Sequence, residues 1–130
     1  MTDDLYERGL EIRRAVVGTE YVERSLAEAD DFTRPLQELV TRYCWGDVWS
    51  RPGLERRERS MINLSMIAAL NRPHELKLHV RGAINNGLNK DEIREILLQV
   101  AIYAGVPASL DSFRVAKEVF AEMKAKGEMA

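Results

Sequence analysis

Apolar residues in this chain recur mainly at helical spacing, with helix start and stop signals between the runs. "TDDLYERGLEIRRAVVG" opens with Thr2 and two acids, carries Leu5, Leu10, Ile12 and Val16, and stops at Gly18, which predicts a first helix. "TEYVERSLAEADD" reads as a second, more polar one. "TRPLQELVTRYCWG" offers Thr33 as N-cap, Pro35 in the first turn, and Leu36, Leu39, Val40 and Tyr43 before a stop at Gly46. "DVWSRPGL" follows as a loop with an Arg-Pro-Gly turn signal.

The second half is more apolar. "LERRERSMINLSMIAALN" has a charged first part and a second part that is apolar on nearly every side, the mark of a central helix. Asn71 and Pro73 punctuate the start of "PHELKLHVRGAINN", which runs to Gly87 with Leu76, Val80, Ala83 and Ile84 as its buried stripe. "NKDEIREILLQVAIYAG" opens with a capping box, Asn89 and Glu92, and closes at Gly105. Pro107 begins a last helix with Leu110, Phe113, Val115, Val119 and Phe120 facing inward. No segment reads as a strand. The expected fold is all-α, a single-domain helical bundle of about seven helices over residues 1–130. The helices of residues 55–104 carry more apolar surface than the outer helices can cover, which points to a homo-oligomer. The alternative is that the N-terminal helices do the covering.

Composition narrows the function classes. A chain of 130 residues can bury a genuine core, and 31% charged with 45% hydrophobic residues is an ordinary globular balance. A net charge of -2 supplies no reason to expect nucleic acid or an anionic membrane as partner. The acidic N-terminus has no signal-peptide pattern, no run is long enough to span a bilayer, and one cysteine forms no internal disulfide. Together these predict a cytoplasmic protein.

The chemistry-bearing residues are few. The chain has no glycine-rich phosphate loop, no Cys-x-x-Cys and no Gly-x-Ser-x-Gly elbow. His74 and His79 lie five apart, off one helix face, which argues against a two-histidine zinc site, and Cys44 reads as a buried structural thiol. In "RPHELKLH", Glu75 precedes His79 by four residues, and His79 lies on or beside the apolar stripe. Two readings stand: a core-edge histidine held by a neighbouring carboxylate, or a general acid or base whose tautomer and proton affinity Glu75 sets.

The stretch from Leu54 to Val115 resembles the carboxymuconolactone decarboxylase family, helical relatives of alkyl hydroperoxidase D. The hydroperoxidase relatives carry a glutamate twelve residues before a Cys-x-x-Cys-x-x-x-His run; laid on this chain those positions are Ser60, Arg72, Glu75 and His79. Both thiols are gone, so disulfide-based peroxide reduction is not expected. "DDFTRPLQELVTRYCWGDVWSRPGL", "NRPHELKLHVRGAINNG" and "EIREILLQVAIYAGVPASLDSFRVAKEV" resemble the decarboxylases of the family more closely. That resemblance implies a homo-oligomer, commonly a hexamer, and cofactor-independent decarboxylation of 4-carboxymuconolactone to the enol-lactone of 3-oxoadipate in protocatechuate degradation.

The implied substrate is a lactone dicarboxylate whose ring alkene joins the carboxylated carbon to the lactone carbonyl. The electrons left by CO2 flow into that carbonyl, so no cofactor is expected. The protein must anchor the acetate arm, stabilise the enolate and protonate a ring carbon. His79 with Glu75 suits the proton step, or His79 as imidazolium suits the enolate. An arginine suits the anchor, with Arg51 and Arg42 ahead of Arg72. Trp45, Trp49 and Tyr103 are candidate walls or donors, although aromatics at helical spacing commonly belong to the core, and Ser60 is a further candidate. The competing readings are a hydroperoxidase-related oxidoreductase and a non-catalytic helical oligomer.

Overall fold

The computed structural model describes residues 3–129; the Thr2 expected to open the first helix lies outside the described residues. Among the described residues the chain forms seven helices and no strand, as the apolar spacing predicts. Its contacts divide into two compact units, Met1–Glu55 and Arg56–Ala130.

In the first unit, α1 (Asp4–Val17) starts where the Asp3 carboxylate accepts the Tyr6 N–H at 3.1 Å, and it ends at Gly18. Helix α2 (Thr19–Glu28) follows at once. The third helix begins as α3 (Arg34–Leu39) and continues as a π-helical stretch, Val40–Val48. Its start is set by Asp30 rather than by the Thr33 side chain, which makes no cap bond to the helix. The Asp30 carboxylate accepts the N–H groups of Phe32 and Thr33 at 3.0 and 2.9 Å, while the Thr33 hydroxyl accepts the Asp30 N–H at 3.0 Å. A carboxylate that reaches two donors is the stronger capping group.

Gly46 does not stop this helix; it lies within the π-helical stretch, because α1 crosses there in backbone contact. A Cβ on Gly9 would overlap the Thr41 carbonyl oxygen, and one on Gly46 the Leu5 carbonyl oxygen. Buried Arg13 locks the crossing by donating to Thr41 Oγ1 at 3.1 Å and Gln37 Oε1 at 2.9 Å. The face turned to α1 is therefore chosen by close backbone approach, and the stripe predicted to be buried is not: Leu36, Leu39 and Tyr43 are each more than half exposed. Trp45 and Trp49 are buried and stack on each other at 4.8 Å between ring centroids.

The second unit holds α4 (Arg56–Ala69), α5 (Pro73–Asn85), α6 (Lys90–Ala104) and α7 (Val106–Ala125). Its core joins Leu64 and Ala68 of α4 to Leu76, Val80 and Ala83 of α5, with Ile93 and Leu97 of α6 and Val119 and Met123 of α7. Each such aliphatic side chain contributes about 1.5–3 kcal/mol relative to exposure. The turn between α4 and α5 is tight: Asn71 takes φ 56° and Pro73 opens α5 at once. The expected capping box forms, Asn89 Oδ1 accepting the Glu92 N–H at 2.8 Å and Glu92 Oε1 the Asn89 N–H at 3.0 Å. Arg57 of α4 pairs with the same Glu92 carboxylate and donates to the Gly87 carbonyl at 2.9 Å, which ties the start of α4 to the α5–α6 turn.

On α7 the inward reading holds for Val119, with Val115 and Phe120 partly buried against the core, and fails for Leu110 and Phe113, which are 58% and 36% exposed. Met66, Leu70, Ile102 and Tyr103 are at least half exposed, so α4 and α6 carry large apolar side chains in contact with solvent.

The crossing in the first unit yields a direct test. Gly9→Ala should lower the unfolding free energy by about 1–3 kcal/mol through forced displacement of backbone, whereas Gly53→Ala, with open space around it, should stay within about 0.5 kcal/mol of wild type. Urea titrations at one protein concentration check this; equal effects would refute the backbone-contact account.

Candidate active site

Helix α5 positions the central residue. Leu76, Val80 and Ala83 form its buried stripe, which puts His79, three residues after Leu76, on the flank of that stripe and half-buried. Glu75 lies one turn earlier and is exposed. The packing of α4 on α5 brings a third group to the ring: Asn63 Nδ2 lies 3.4 Å from His79 Nδ1. Asn63 is half-buried, next to the fully buried Leu64 on α4.

Two opposing influences set the protonation of His79. Burial lowers its pKa below the ordinary imidazole value of 6.5, and the Glu75 carboxylate pulls in the other direction without cancelling that shift. The resting imidazole is therefore neutral at neutral pH. A neutral ring has one N–H donor and one bare acceptor nitrogen, so it can donate a hydrogen bond to a developing oxyanion and can also take up a proton.

The remaining candidates spread over both units. Ser60, buried on α4, accepts a hydrogen bond from Asn86 Nδ2 at 2.8 Å, which joins α4 to the end of α5. Arg72 is exposed at the N-cap position of α5, on the same helix as Glu75 and His79. Tyr103 is 86% exposed and lines a groove of about 380 Å³ with Met61, Ile62, Ser65 and Gln99. Arg81 turns to Glu128, at 2.7 Å.

Arg42, Arg51 and Trp45 belong to the first unit. Arg42 is engaged by Asp3 at 2.6 Å and by Glu38 at 3.7 Å, and lies over the Tyr6 ring. Arg51 is exposed just after the π-helical stretch, its backbone N–H donating to the Val48 carbonyl at 3.1 Å. Trp45 is a core residue stacked on Trp49. Cys44, expected to be buried, is exposed, because its helix turns Thr41, Trp45 and Gly46 inward instead. Among the described residues no three of His, Cys, Asp and Glu gather in a way that would hold a metal ion.

Asn63 is the site residue that the sequence reading overlooked. Its signal was present: an amide inside "SMINLSMIAAL", flanked by Ile62 and Leu64 and followed one turn on by Met66 and Ile67, with Arg59 one turn back. Asparagine is a poor helix-interior residue, so its placement there calls for a partner.

The carboxymuconolactone decarboxylase family model matches residues 34–118. A 4-carboxymuconolactone decarboxylase of Acinetobacter baylyi is 44% identical over 118 residues, covering 91% of this chain and 88% of the relative. A nitrosuccinic acid decarboxylase of Metarhizium robertsii is 46% identical over 124 residues, covering 95% and 87%. A 4-carboxymuconolactone decarboxylase sequence of Pseudomonas putida is 43% identical over 42 residues, 32% of this chain and 88% of that sequence. With a family match over more than half its length and two relatives aligned along nearly all of it, this helical chain belongs to the carboxymuconolactone decarboxylase family.

Proposed function

We propose that the chain is a carboxy-lyase that decarboxylates 4-carboxymuconolactone to the enol-lactone of 3-oxoadipate, with His79 as its catalytic imidazole and Glu75 beside it. The observation that carries this reading is the match to the Acinetobacter baylyi 4-carboxymuconolactone decarboxylase along nearly the full length of both chains. The disposition of His79 supports it, since a half-buried neutral imidazole suits a reaction that generates an oxyanion and then consumes a proton.

The steps balance as follows. The C–CO2 bond breaks, CO2 leaves, and the bonding pair passes through the ring alkene to the lactone carbonyl oxygen, giving an extended enolate. The His79 N–H donates to that oxygen as charge develops, the task a neutral imidazole performs well. The substrate's negative charges and then the enolate raise the proton affinity of the ring. One proton from water, entering on the exposed Glu75 side, is passed to the ring carbon next to the lactone carbonyl. Net, a carboxylate and a proton become CO2 and a C–H bond.

The acetate arm needs a cationic anchor. Of the three candidate arginines, Arg72 is now favoured over Arg42. Arg72 stands at the N-cap of α5, just before the helix that carries Glu75 and His79, whereas the Arg42 guanidinium is occupied by Asp3 and Glu38. Arg51 stays a second anchor candidate on the strength of its exposed loop position.

The Metarhizium robertsii relative favours a second reading within the same reaction class. Nitrosuccinic acid, like 4-carboxymuconolactone, bears the departing carboxylate and a carboxymethyl arm on one carbon, next to a group that accepts an electron pair. The nitro group there replaces the unsaturated lactone. One anchor for the arm and one donor at the acceptor oxygen would serve both substrates.

The exposed apolar side chains of α4 and α6 support a homo-oligomer, for which the hexamer is the proposed state. No helix among the described residues is long and apolar enough to cross a membrane, and a cytoplasmic setting is proposed with it.

An assay should supply both substrates in parallel, the lactone formed in situ from protocatechuate. Wild type should release CO2 and enol-lactone, and a folded His79→Gln variant should be slower in kcat by about 10²–10⁴-fold. Turnover of nitrosuccinate alone would move the assignment to the second reading, and turnover of neither would overturn the decarboxylase assignment.

A second measurement follows from the depressed pKa. Unfolded His79 binds its proton near the ordinary 6.5 and folded His79 only at lower pH, so between those values the unfolded state holds more protons and unfolding becomes easier as pH falls. The stabilisation from keeping His79 neutral is fully present above about 6.5 and lost as pH drops through the folded pKa. Urea midpoints at neutral and mildly acidic pH should therefore fall more for wild type than for His79→Gln; parallel losses would show that burial does not depress this pKa.

A further inference from the structure

We infer that Asn63 is a positioning residue: its side-chain N–H, donated to His79 Nδ1, fixes the imidazole in the tautomer that carries its proton on Nε2. The inference rests on the reading of His79 as the catalytic imidazole and adds to it which nitrogen holds the proton.

Donor and acceptor capacity set the direction of this contact. The amide nitrogen of asparagine has two N–H donors and no lone pair to offer, so with that nitrogen facing the ring at 3.4 Å, Nδ1 is placed to accept. If Nδ1 accepts, the single proton of a neutral imidazole sits on Nε2. Protonating Nδ1 as well would set two donors against each other, and the amide would have to turn over to relieve this. Asn63 thus disfavours the imidazolium in the same direction as burial does.

Placement supports the same role. Helix α4 is apolar around this point, with Ile62 and Leu64 on either side and Met66 and Ile67 on the next turn. An asparagine there sacrifices roughly half a kcal/mol of helix propensity against alanine and brings half-buried polar atoms with it. Leu64 and Ala68 of α4 pack in one core with Leu76 and Val80 of α5, and Val80 adjoins His79. The distance between Asn63 and His79 is therefore held by the best-buried contacts of the second unit. Glu75 has a different part: it is exposed, lies on the histidine's own helix, and acts on the ring through its charge.

The tautomer can be read in the free protein, with no substrate present. Long-range proton–nitrogen correlation of ¹⁵N-labelled protein at pH 7.5 distinguishes a protonated from a bare ring nitrogen. The chain has only two histidines, so a His74→Gln variant assigns the spectrum. Wild type should show His79 with bare Nδ1 and protonated Nε2. Asn63→Leu, which has similar volume and no donor, should show exchange between tautomers, and its kcat should fall about tenfold with little change in KM, the loss of one positioning hydrogen bond. Asn63→Asp replaces the donor by an acceptor and should move the proton to Nδ1. A wild-type spectrum with Nδ1 protonated overturns the inference, as does an Asn63→Asp spectrum identical to wild type. Because the spectra need no substrate, an error about the lactone leaves this result standing, and a wrong tautomer leaves the decarboxylase assay untouched. Should Asn63→Leu fail to fold, the wild-type and Asn63→Asp spectra still decide.

Discussion

The packing of α4 against α5 is the constraint on which the site in the second unit depends. Leu64 and Ala68 meet Leu76, Val80 and Ala83 in one buried cluster, and the turn between the helices has almost no slack, with Asn71 at φ 56° and Pro73 already in α5. Once those apolar contacts form, the flanking positions have no freedom left. His79 lies beside Val80, Asn63 beside Leu64, and the two polar side chains meet at 3.4 Å at the edge of the core. The site is thus a by-product of hydrophobic register: a one-residue shift of either helix would turn its own group away and part the pair. The Arg57–Glu92 pair and the Asn89 capping box hold the far end of the same unit, so that the register is pinned at the start of α4 as well as at its end.

That register also explains how one scaffold can host different chemistry. Arg72, Glu75 and His79 stand at the spacing where the hydroperoxidase relatives carry a cysteine pair and a histidine. The backbone sets only where three side chains emerge along α5. In the proposed reaction the substrate carries its own electron acceptor, and redox-active thiols at those positions would have no task. A cation to hold a carboxylate, an acid to face solvent and an imidazole at the core edge are what the reaction needs. For the proposed role of His79 its half-burial would be an advantage: full exposure would leave its N–H in competition with water, and full burial would close the path of the proton that each turnover consumes.

Much of this could be read before any coordinates. All seven helices follow from punctuation, and the Asn89–Glu92 box and the stripe Leu76, Val80, Ala83 appear as the spacing predicts, because they depend on neighbours within one helix. The misses share a cause, which is dependence on a second helix. Leu36, Leu39 and Tyr43 have helical spacing, yet the face of their helix that packs on α1 is selected by Gly9 and Gly46, where backbones touch. Gly46 reads as a stop signal and turns out to be a contact point within a π-helical stretch. Leu110 and Phe113 continue an apolar pattern on α7 yet stay 58% and 36% exposed. Asn63 escaped for the same reason: nothing within α4 indicates that the group opposite it is a histidine.

Proton economy ties these features together. Decarboxylation of the dicarboxylate leaves an enolate that must be quenched by a single proton, and a permanently charged donor at His79 would also bind the departing carboxylate in the ground state, which slows its loss. In the proposed reaction a ring held neutral by burial avoids that trap and still offers its N–H to the developing oxyanion. The charge of the exposed Glu75 opposes the pKa shift that burial causes. The same logic holds for a lactone enolate and for a nitronate, since each places an oxyanion where a neutral N–H can meet it. Discrimination between the two substrates then falls to groups that sense shape and the position of the carboxymethyl arm, and the arginines, more than the histidine, are where that specificity would be written.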